Sequence, residues 1–331
     1  AYLYQLHMGA WELETPSVSI LVSQRYLWKT DRCTGDIVHG PTSHSGTVFM
    51  AHDYTDGMKL NLPGQGSEMI LQAGSTDPRW LNQSSTKVTK SNIVFSCIND
   101  IGTLNGGGQG FIATTPDGTQ YHFDKLYYQS SDVAKKGSAR LPRKHAVMYA
   151  SEVTDIHGNW VKYTYNADGR LTRIHSNDLR DITLAYSGSG RKSKLTTVTT
   201  SGRTWTYSYT DSFKVTQPDG RFWLYEIGTL STLQPRPGNC AWDDFAATVT
   251  HPHGVRGIFT MGEVRHGRKN VPNMPVSNPY FPEPDYNECF VQHYEIPSYF
   301  ETMSVKSKEV SGFGIPTSIW THTYQEDDGS Y

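Results

Sequence analysis

Apolar and polar positions alternate with a period of two along the middle of the chain, most clearly between Tyr149 and Gly228. Residues 160–165, with the sequence WVKYTY, place one valine and two tyrosines on one face of a strand and Trp160 among polar residues on the other. Gly169 follows in a short polar segment and can take the positive φ of a tight turn. Residues 171–174 then alternate again, so the pattern predicts a β-hairpin.

The same succession of strand, turn and strand recurs on both sides of this hairpin. Further strands are predicted at residues 182–186, 195–199, 203–209 and 221–225. Weaker copies, at residues 52–60 and 116–123, set Asp-Gly turns beside aromatic residues. Repetition of this kind is typical of an extended array. The predicted fold class is therefore all-β, with an array of antiparallel hairpins forming a curved or spiralling sheet.

The density of glycine and proline divides the chain into four predicted regions. A Gly-rich segment at residues 105–110 favours a boundary there, and seven prolines, Pro235, Pro237 and five from Pro272 to Pro284, disfavour regular sheet. We predict an N-terminal β region at 1–108, a repeat sheet at 109–230, a Pro-rich loop excursion at 231–297 and a continuation of the sheet at 298–331.

Composition supports the β assignment and excludes some partners. Of 331 residues, 36% are hydrophobic, 20 are tyrosine and 8 are tryptophan, and aromatic residues favour half-buried pleated surfaces. The formal net charge is −2, which provides no general field to attract a polyanion, so we expect no nucleic-acid partner. No apolar run approaches the roughly 18 residues of a membrane-spanning helix, so we expect no membrane span.

Cysteine usage and the two termini indicate where the protein acts. Four cysteines lie far apart, without Cys-x-x-Cys spacing, at Cys33, Cys97, Cys240 and Cys289. Their even number permits two disulfides in an oxidising compartment, and four buried thiols are the alternative. The chain starts at Ala1 without a signal-like segment and stops at an Asp-Gly turn, which favours a processed N-terminus or a fragment of a longer protein.

A family resemblance is carried by residues 163–174, YTYNADGRLTRI, which closely resemble the YD repeat of bacterial Rhs proteins. Residues 155–160, DIHGNW, resemble the lead-in of such repeats, and residues 312–316 resemble their connecting segments. The resemblance covers roughly residues 110–230. It implies a spiralling sheet that closes into a hollow shell, which in some members encloses a toxic C-terminal segment. This chain is too short for a closed shell and has no visible toxin segment or self-cleavage motif.

Several short motifs suggest chemistry, and each also has a structural explanation. His251 and His253 are the densest histidine pair, yet Pro-His-Gly is typical of a turn and no further ligand follows at a recognised spacing. Ser43 and His44 are neighbours, which on a strand point to opposite faces. Basic clusters that suggest anion binding lie at residues 140–145 and 265–269. The Gly-rich residues 105–110 lack the endings of a nucleotide-binding loop.

Carboxylates and tryptophans complete the candidates. Asp243, Asp244 and Glu263 are the acids least readily explained as turn residues, and two carboxylates in a cleft suffice for glycan cleavage. A stacking platform for sugars or a partner protein is suggested by five tryptophans: Trp80, Trp160, Trp205, Trp223 and Trp242. Ordinary packing on alternating strands is the alternative explanation for most of them, and Trp242 is the one expected to be exposed.

Three hypotheses about function follow. The first is a structural wall segment of a secreted or cell-surface bacterial protein, part of a larger toxin carrier or contact assembly, whose partners are the rest of its own longer chain and an enclosed or associated protein. The second is a carbohydrate- or protein-binding β module. The third is a carbohydrate-active enzyme with paired carboxylates. The leading hypothesis is not an enzyme, and it assigns no catalytic, cofactor-binding or metal-binding residue and no cofactor.

Overall fold

The computed structural model describes residues 13–37, 40–74, 76–80, 87–136, 139–190, 193–210, 212–227, 244–267 and 299–324. It divides into two compact units, which comprise residues 13–203 and 204–324 of the described chain. Almost all regular structure is antiparallel β-strand, so the predicted all-β class is confirmed. None of the helices in these described ranges is long and apolar enough to cross a membrane.

The first unit contains sixteen strands among its described residues. They are β1 (Ser17–Ser23), β2 (Thr42–His44), β3 (Thr47–Phe49), β4 (Lys59–Leu62), β5 (Gly66–Gln72), β6 (Lys87–Thr89), β7 (Val94–Ile98), β8 (Gly110–Thr114), β9 (Gln120–Ser130), β10 (Ala134–Lys136), β11 (Ala139–Leu141), β12 (Arg143–Thr154), β13 (Trp160–Tyr165), β14 (Leu171–Ser176), β15 (Asp181–Ser187) and β16 (Lys194–Thr200). Its short helices are α1 (Ala51–Tyr54) and two 3₁₀ turns, Pro78–Trp80 and Thr103–Asn105.

Eight strands of this unit close into a barrel. Going around the ring, the antiparallel neighbours are β1, β4, β5, β6, β7, β8, β9 and β12, and β12 returns to β1. Closure removes the exposed edges that an open sheet presents. The interior is filled by side chains that alternate along each strand, such as Val18, Ile20 and Val22 of β1.

A loop between β1 and β2 fills part of this core. Its residues Trp28 and Cys33 are buried in the main hydrophobic cluster, and a disulfide joins Cys33 to Cys97 of β7. The guanidinium of Arg32 lies over the Trp28 ring and donates to the carbonyl oxygen of Gly107 at 2.9 Å. We call residues 24–37 the plug loop, because these contacts hold it against the barrel interior. The disulfide is compatible with an oxidising compartment.

The C-terminal end of β12 stays paired with the barrel strand β9 on one side and begins an open sheet on the other. Its residues 152–154 pair with β13, and β14, β15 and β16 follow in sequence order. Most side chains of β13–β16 are half-buried or exposed on both faces, and among the described residues of these strands the fully buried ones are Leu171, Ser176, Leu184 and Leu195. This part of the sheet is therefore a thin layer rather than one face of a thick core.

The second unit is an antiparallel meander in which each strand pairs with the next along the chain. Its strands are β17 (Arg203–Tyr209), β18 (Phe213–Thr216), β19 (Phe222–Ile227), β20 (Phe245–Thr250), β21 (Arg256–Gly267), β22 (Tyr299–Gly312) and β23 (Ile315–Thr321). Large apolar side chains are exposed at its last hairpin, including Phe313, Ile319 and Trp320.

One five-residue turn recurs through both units. In each copy the first N–H donates to the fifth carbonyl and the fourth N–H donates to the first carbonyl. The fourth residue has a positive φ, as expected for a three-residue hairpin loop with a bulge. Among the described residues the copies are 89–93, 115–119, 155–159, 166–170, 176–180, 217–221 and 251–255. The Asp-Gly turns predicted at 117–118, 168–169 and 219–220 are thereby confirmed.

Leu179 is the one bulky residue at the fourth position of these seven turns, where five copies have glycine and one has Asn92. Its φ is 67° and its side chain is 83% exposed, so the strain has little compensating burial. We expect Leu179→Gly to raise the free energy of unfolding by about 1 kcal/mol, because the left-handed conformation costs a branched residue roughly that much. Chemical denaturation measures the change, and Leu104→Gly, at a fully exposed residue with no positive φ, is the control.

The structure differs from three expectations based on the sequence. Residues 51–54 form a helical turn rather than a strand, because the Asp53 carboxylate accepts the Met50 N–H at 2.8 Å and stabilises the first turn. The predicted boundary at residue 108 falls inside the barrel, since β8 and β9 close the ring. The predicted excursion at 231–297 contains β20 and β21, while its proline-dense remainder lies outside the described residues.

Candidate binding surface

A row of aromatic rings crosses two adjacent strands of the second unit. Tyr225 stacks on Trp223 with 6.3 Å between ring centroids, Trp223 meets His251 edge to face at 4.5 Å, and His251 stacks on His253 at 5.1 Å. We call these four residues the aromatic ladder. His253 is exposed and the other three are half-buried, so the ladder has a solvent-facing end.

The recurring turn explains why these rings meet. One copy, residues 217–221, joins β18 to β19, and another, residues 251–255, joins β20 to β21. Because β19 pairs with β20 and Leu224 lies opposite Thr250, Trp223 and His251 are brought to neighbouring positions. His251 and His253 occupy the first and third positions of their turn, as Asp155 and His157 do in an earlier copy.

Arg221 extends the ladder at its exposed end. One guanidinium nitrogen lies 3.2 Å from Nδ1 and 3.0 Å from Nε2 of His253, so the group sits against the imidazole. The same guanidinium binds the Asp219 carboxylate at 2.6 Å, and this hydrogen bonding lowers the pKa of Asp219. The surface thus combines flat rings with a charged, planar donor and acceptor, which are the groups that stack on and hydrogen-bond to polar ligands.

The two histidines have a structural role in the turn. Nδ1 of His251 accepts the backbone N–H of His253 at 3.1 Å, the same bond that the Asp155 carboxylate makes to the N–H of His157. That lone pair is therefore occupied. Within the described ranges, no group of three or more histidine, cysteine or acidic residues is arranged to hold a metal ion.

The other motifs singled out from the sequence do not converge on the ladder. Ser43 and His44 lie on β2, where the serine is exposed and pairs across the strand with Val48. In the basic cluster at 140–145, Arg143 is bound to Asp132 at 2.8 Å, and burial lowers the pKa of His145. For the cluster at 265–269, side chains lie outside what the structure describes.

Two of the three acidic candidates lie in the part of the chain that is described. Lys306 binds both oxygens of the Asp244 carboxylate, at 2.8 and 3.0 Å, and Asp244 is half exposed. Glu263 lies on β21, and Asp243 lies outside the described residues. The Gly-rich candidate at 105–110 is structural, because Gln109 accepts the backbone N–H groups of the plug loop.

The tryptophans behave differently from one another. Trp160 packs against His175 at 5.6 Å and under the ammonium of Lys162 at 4.5 Å, and Trp205 is half-buried on β17. Trp80 lies in a short 3₁₀ turn without a described side chain, and Trp242 lies outside the described residues. Only Trp223 of the five joins a described cluster of several rings. The sequence feature that points to this cluster is the equal length of the Pro-Asp-Gly and Pro-His-Gly turns, one of which precedes β19 while the other follows β20.

Neither a family model nor a curated protein matches this chain. The similarity to Rhs proteins therefore rests on the repeat residues themselves, and it stays a prediction.

Proposed function

We propose that this chain is a structural wall segment of a secreted or cell-surface bacterial protein of the Rhs/YD-repeat type, part of a larger toxin carrier or contact assembly. The observation that carries the proposal is that one five-residue turn occurs seven times among the described residues, each time between consecutive antiparallel strands. Repeated units of strand, turn and strand extend a sheet without requiring a catalytic cleft, and an extended sheet is what a wall needs.

Two features of β13–β16 support this role. The sheet is thin, with side chains half-exposed on both faces, as expected for a wall that separates two spaces. It is also fastened internally, because the hydroxyl of Tyr165 donates to the Ala150 carbonyl at 2.7 Å and that of Tyr186 donates to the Leu171 carbonyl at 2.8 Å. Both bonds span fifteen residues along the chain, so β13 is bound to β12 and β15 to β14 in the same way.

The test isolates the native protein from the cells that produce it, with antibodies raised against the purified chain. We expect the antibodies to label intact cells or the medium, to recover a polypeptide longer than 331 residues, and to yield particles with an internal cavity in negative-stain electron microscopy. Recovery of a monomer of about this length from the cell interior would contradict the wall proposal.

A second candidate function, a glycan-binding module, is favoured by the aromatic ladder. His253, at the exposed end of the ladder, presents its ring against the guanidinium of Arg221, which binds Asp219, and an aromatic face next to hydrogen-bonding groups suits a sugar ring. A glycan array with the purified chain, followed by titration of any glycan bound, tests this function. His253→Ala and Trp223→Ala should each weaken binding at least about tenfold, which corresponds to roughly 1.4 kcal/mol. Trp160→Ala, in the first unit, is the control; equal loss in all three variants, or no bound glycan, excludes the ladder as the site.

A further inference from the structure

The Cys33–Cys97 disulfide connects two different kinds of structure. Cys33 lies in the plug loop, has no exposed surface and is 64 residues away from its partner along the chain. Cys97 lies on β7, a barrel strand whose position is set by its neighbours β6 and β8. The bond therefore requires that an irregular loop be held in place against a strand.

Two side chains, one from β6 and one from the residue before β8, bind the main chain at Cys33. From β6, the ammonium of Lys87 donates to the carbonyl oxygens of Cys33 at 2.6 Å and of Gly35 at 2.7 Å. From the position just before β8, the amide oxygen of Gln109 accepts the N–H of Cys33 at 3.1 Å and that of Thr34 at 3.0 Å. The backbone of Cys33 is thus held at its C=O by Lys87 and at its N–H by Gln109.

Lys87 is a costly residue for this position. Its side chain is fully buried, and burying an ammonium is unfavourable unless its donors are satisfied. Burial lowers the pKa of Lys87 to about 8, and the charges of Asp36 and Asp31 oppose that shift, so the amine is largely protonated at neutral pH. An apolar side chain would fill the same space without the cost of burying a charge. The feature that distinguishes lysine at this position is therefore the pair of hydrogen bonds from Lys87 to the plug loop.

We propose that Lys87 and Gln109 form a clamp that positions Cys33 for bonding to Cys97. In the oxidation, the thiolate of one cysteine attacks a small disulfide such as oxidised glutathione and releases one glutathione thiolate. The second protein thiolate then attacks the mixed disulfide and releases the other. Two protein thiols are oxidised and one glutathione disulfide is reduced to two thiols. The clamp acts on the second step and on the equilibrium, because it raises the effective concentration of one thiol at the other.

The experiment equilibrates the chain with reduced and oxidised glutathione and measures the effective concentration of the Cys33–Cys97 pair after acid trapping. Cys240→Ser and Cys289→Ser in the background leave a single pair to follow. We expect Lys87→Met and Gln109→Ala each to lower the effective concentration at least about tenfold, since loss of one hydrogen bond to a charged or buried group is of that size. Gln109→Glu keeps the acceptor oxygen and should remain within about threefold of the parent chain.

Leu141→Ala, in the separate small cluster around Phe49 and Tyr54, is the control for general destabilisation. If Lys87→Met and Gln109→Ala change the effective concentration no more than Leu141→Ala does, the clamp is disproved. If Lys87→Met does not fold, Lys87→Gln, which retains one amide donor group, takes its place and should lower the effective concentration by more than Leu141→Ala does. Failure here leaves the wall proposal intact, because that proposal is tested on the native protein and not on the redox equilibrium.

Discussion

Removal of the Cys33–Cys97 disulfide by the double substitution Cys33→Ala and Cys97→Ala is expected to lower the free energy of unfolding of the barrel unit by about 4 kcal/mol. The two cysteines are 64 residues apart, and the entropy that such a crosslink removes from the unfolded chain is of that size. Denaturation in guanidinium chloride, followed by the fluorescence of tryptophans including the buried Trp28, measures the change.

The dependence of the unfolding free energy on denaturant concentration shows whether the disulfide acts on the unfolded state or on the folded state. If the crosslink acts on the unfolded state, the uncrosslinked chain exposes more surface on unfolding and its denaturant dependence becomes steeper. The parent chain with its disulfide reduced should behave like the double variant. Asn99→Ala, at an exposed position two residues from Cys97, controls for a local effect and should change stability by less than about 0.5 kcal/mol. A loss below about 1 kcal/mol in the double variant would mean that non-covalent contacts alone fix the plug loop.

The hairpins could be predicted because their determinants are local. The alternation in residues 160–165 and the turn glycine Gly169 lie within ten residues, and the structure has β13 and β14 where the pattern placed them. The recurring turn also forms at sequences other than Asp-Gly. Leu179 and Asn92 adopt the same conformation without a glycine, which is why the copies at 176–180 and 89–93 were not recognised.

The barrel and the disulfide depend on contacts between distant residues, which a single sequence does not encode in a readable way. The pairing of Val18 with Met148 that helps to close the ring spans 130 residues, and alternation in β1 does not specify its partner. Likewise the four cysteines permitted several pairings, and the choice of Cys97 follows from the place of β7 opposite the plug loop. The aromatic ladder was missed for the same reason, since Trp223 and His251 meet only through strand pairing.

A single truncation in the barrel core, Phe111→Ala, is expected to lower the free energy of unfolding by about 4 kcal/mol, within the range for removal of a fully buried phenylalanine ring. Phe111 has no exposed surface, and its ring contacts Phe95 at 6.1 Å and Trp28 of the plug loop at 5.9 Å. Deleting the ring leaves a cavity at the junction of β7, β8 and the plug loop. Thermal and chemical denaturation both measure the effect.

Phe313→Ala is the matched control, because that phenylalanine is fully exposed in the turn between β22 and β23 and should contribute within about 0.5 kcal/mol of zero. Phe111→Leu retains much of the buried volume and should lose less than half as much stability as Phe111→Ala. Similar losses for Phe111→Ala and Phe313→Ala would contradict the packed barrel interior.

Coupling between Phe111 and the disulfide follows from the same geometry. Phe111 lies opposite Cys97 in the strand register, and its ring touches Trp28 in the loop that carries Cys33. Once the disulfide is absent, the plug loop can relax into the cavity, so Phe111→Ala should cost less in the Cys33→Ala, Cys97→Ala chain than in the parent. A non-additivity of about 1 kcal/mol in this double-mutant cycle would show that the plug loop and the barrel core are energetically coupled. Strict additivity would mean that the loop is anchored independently of the core.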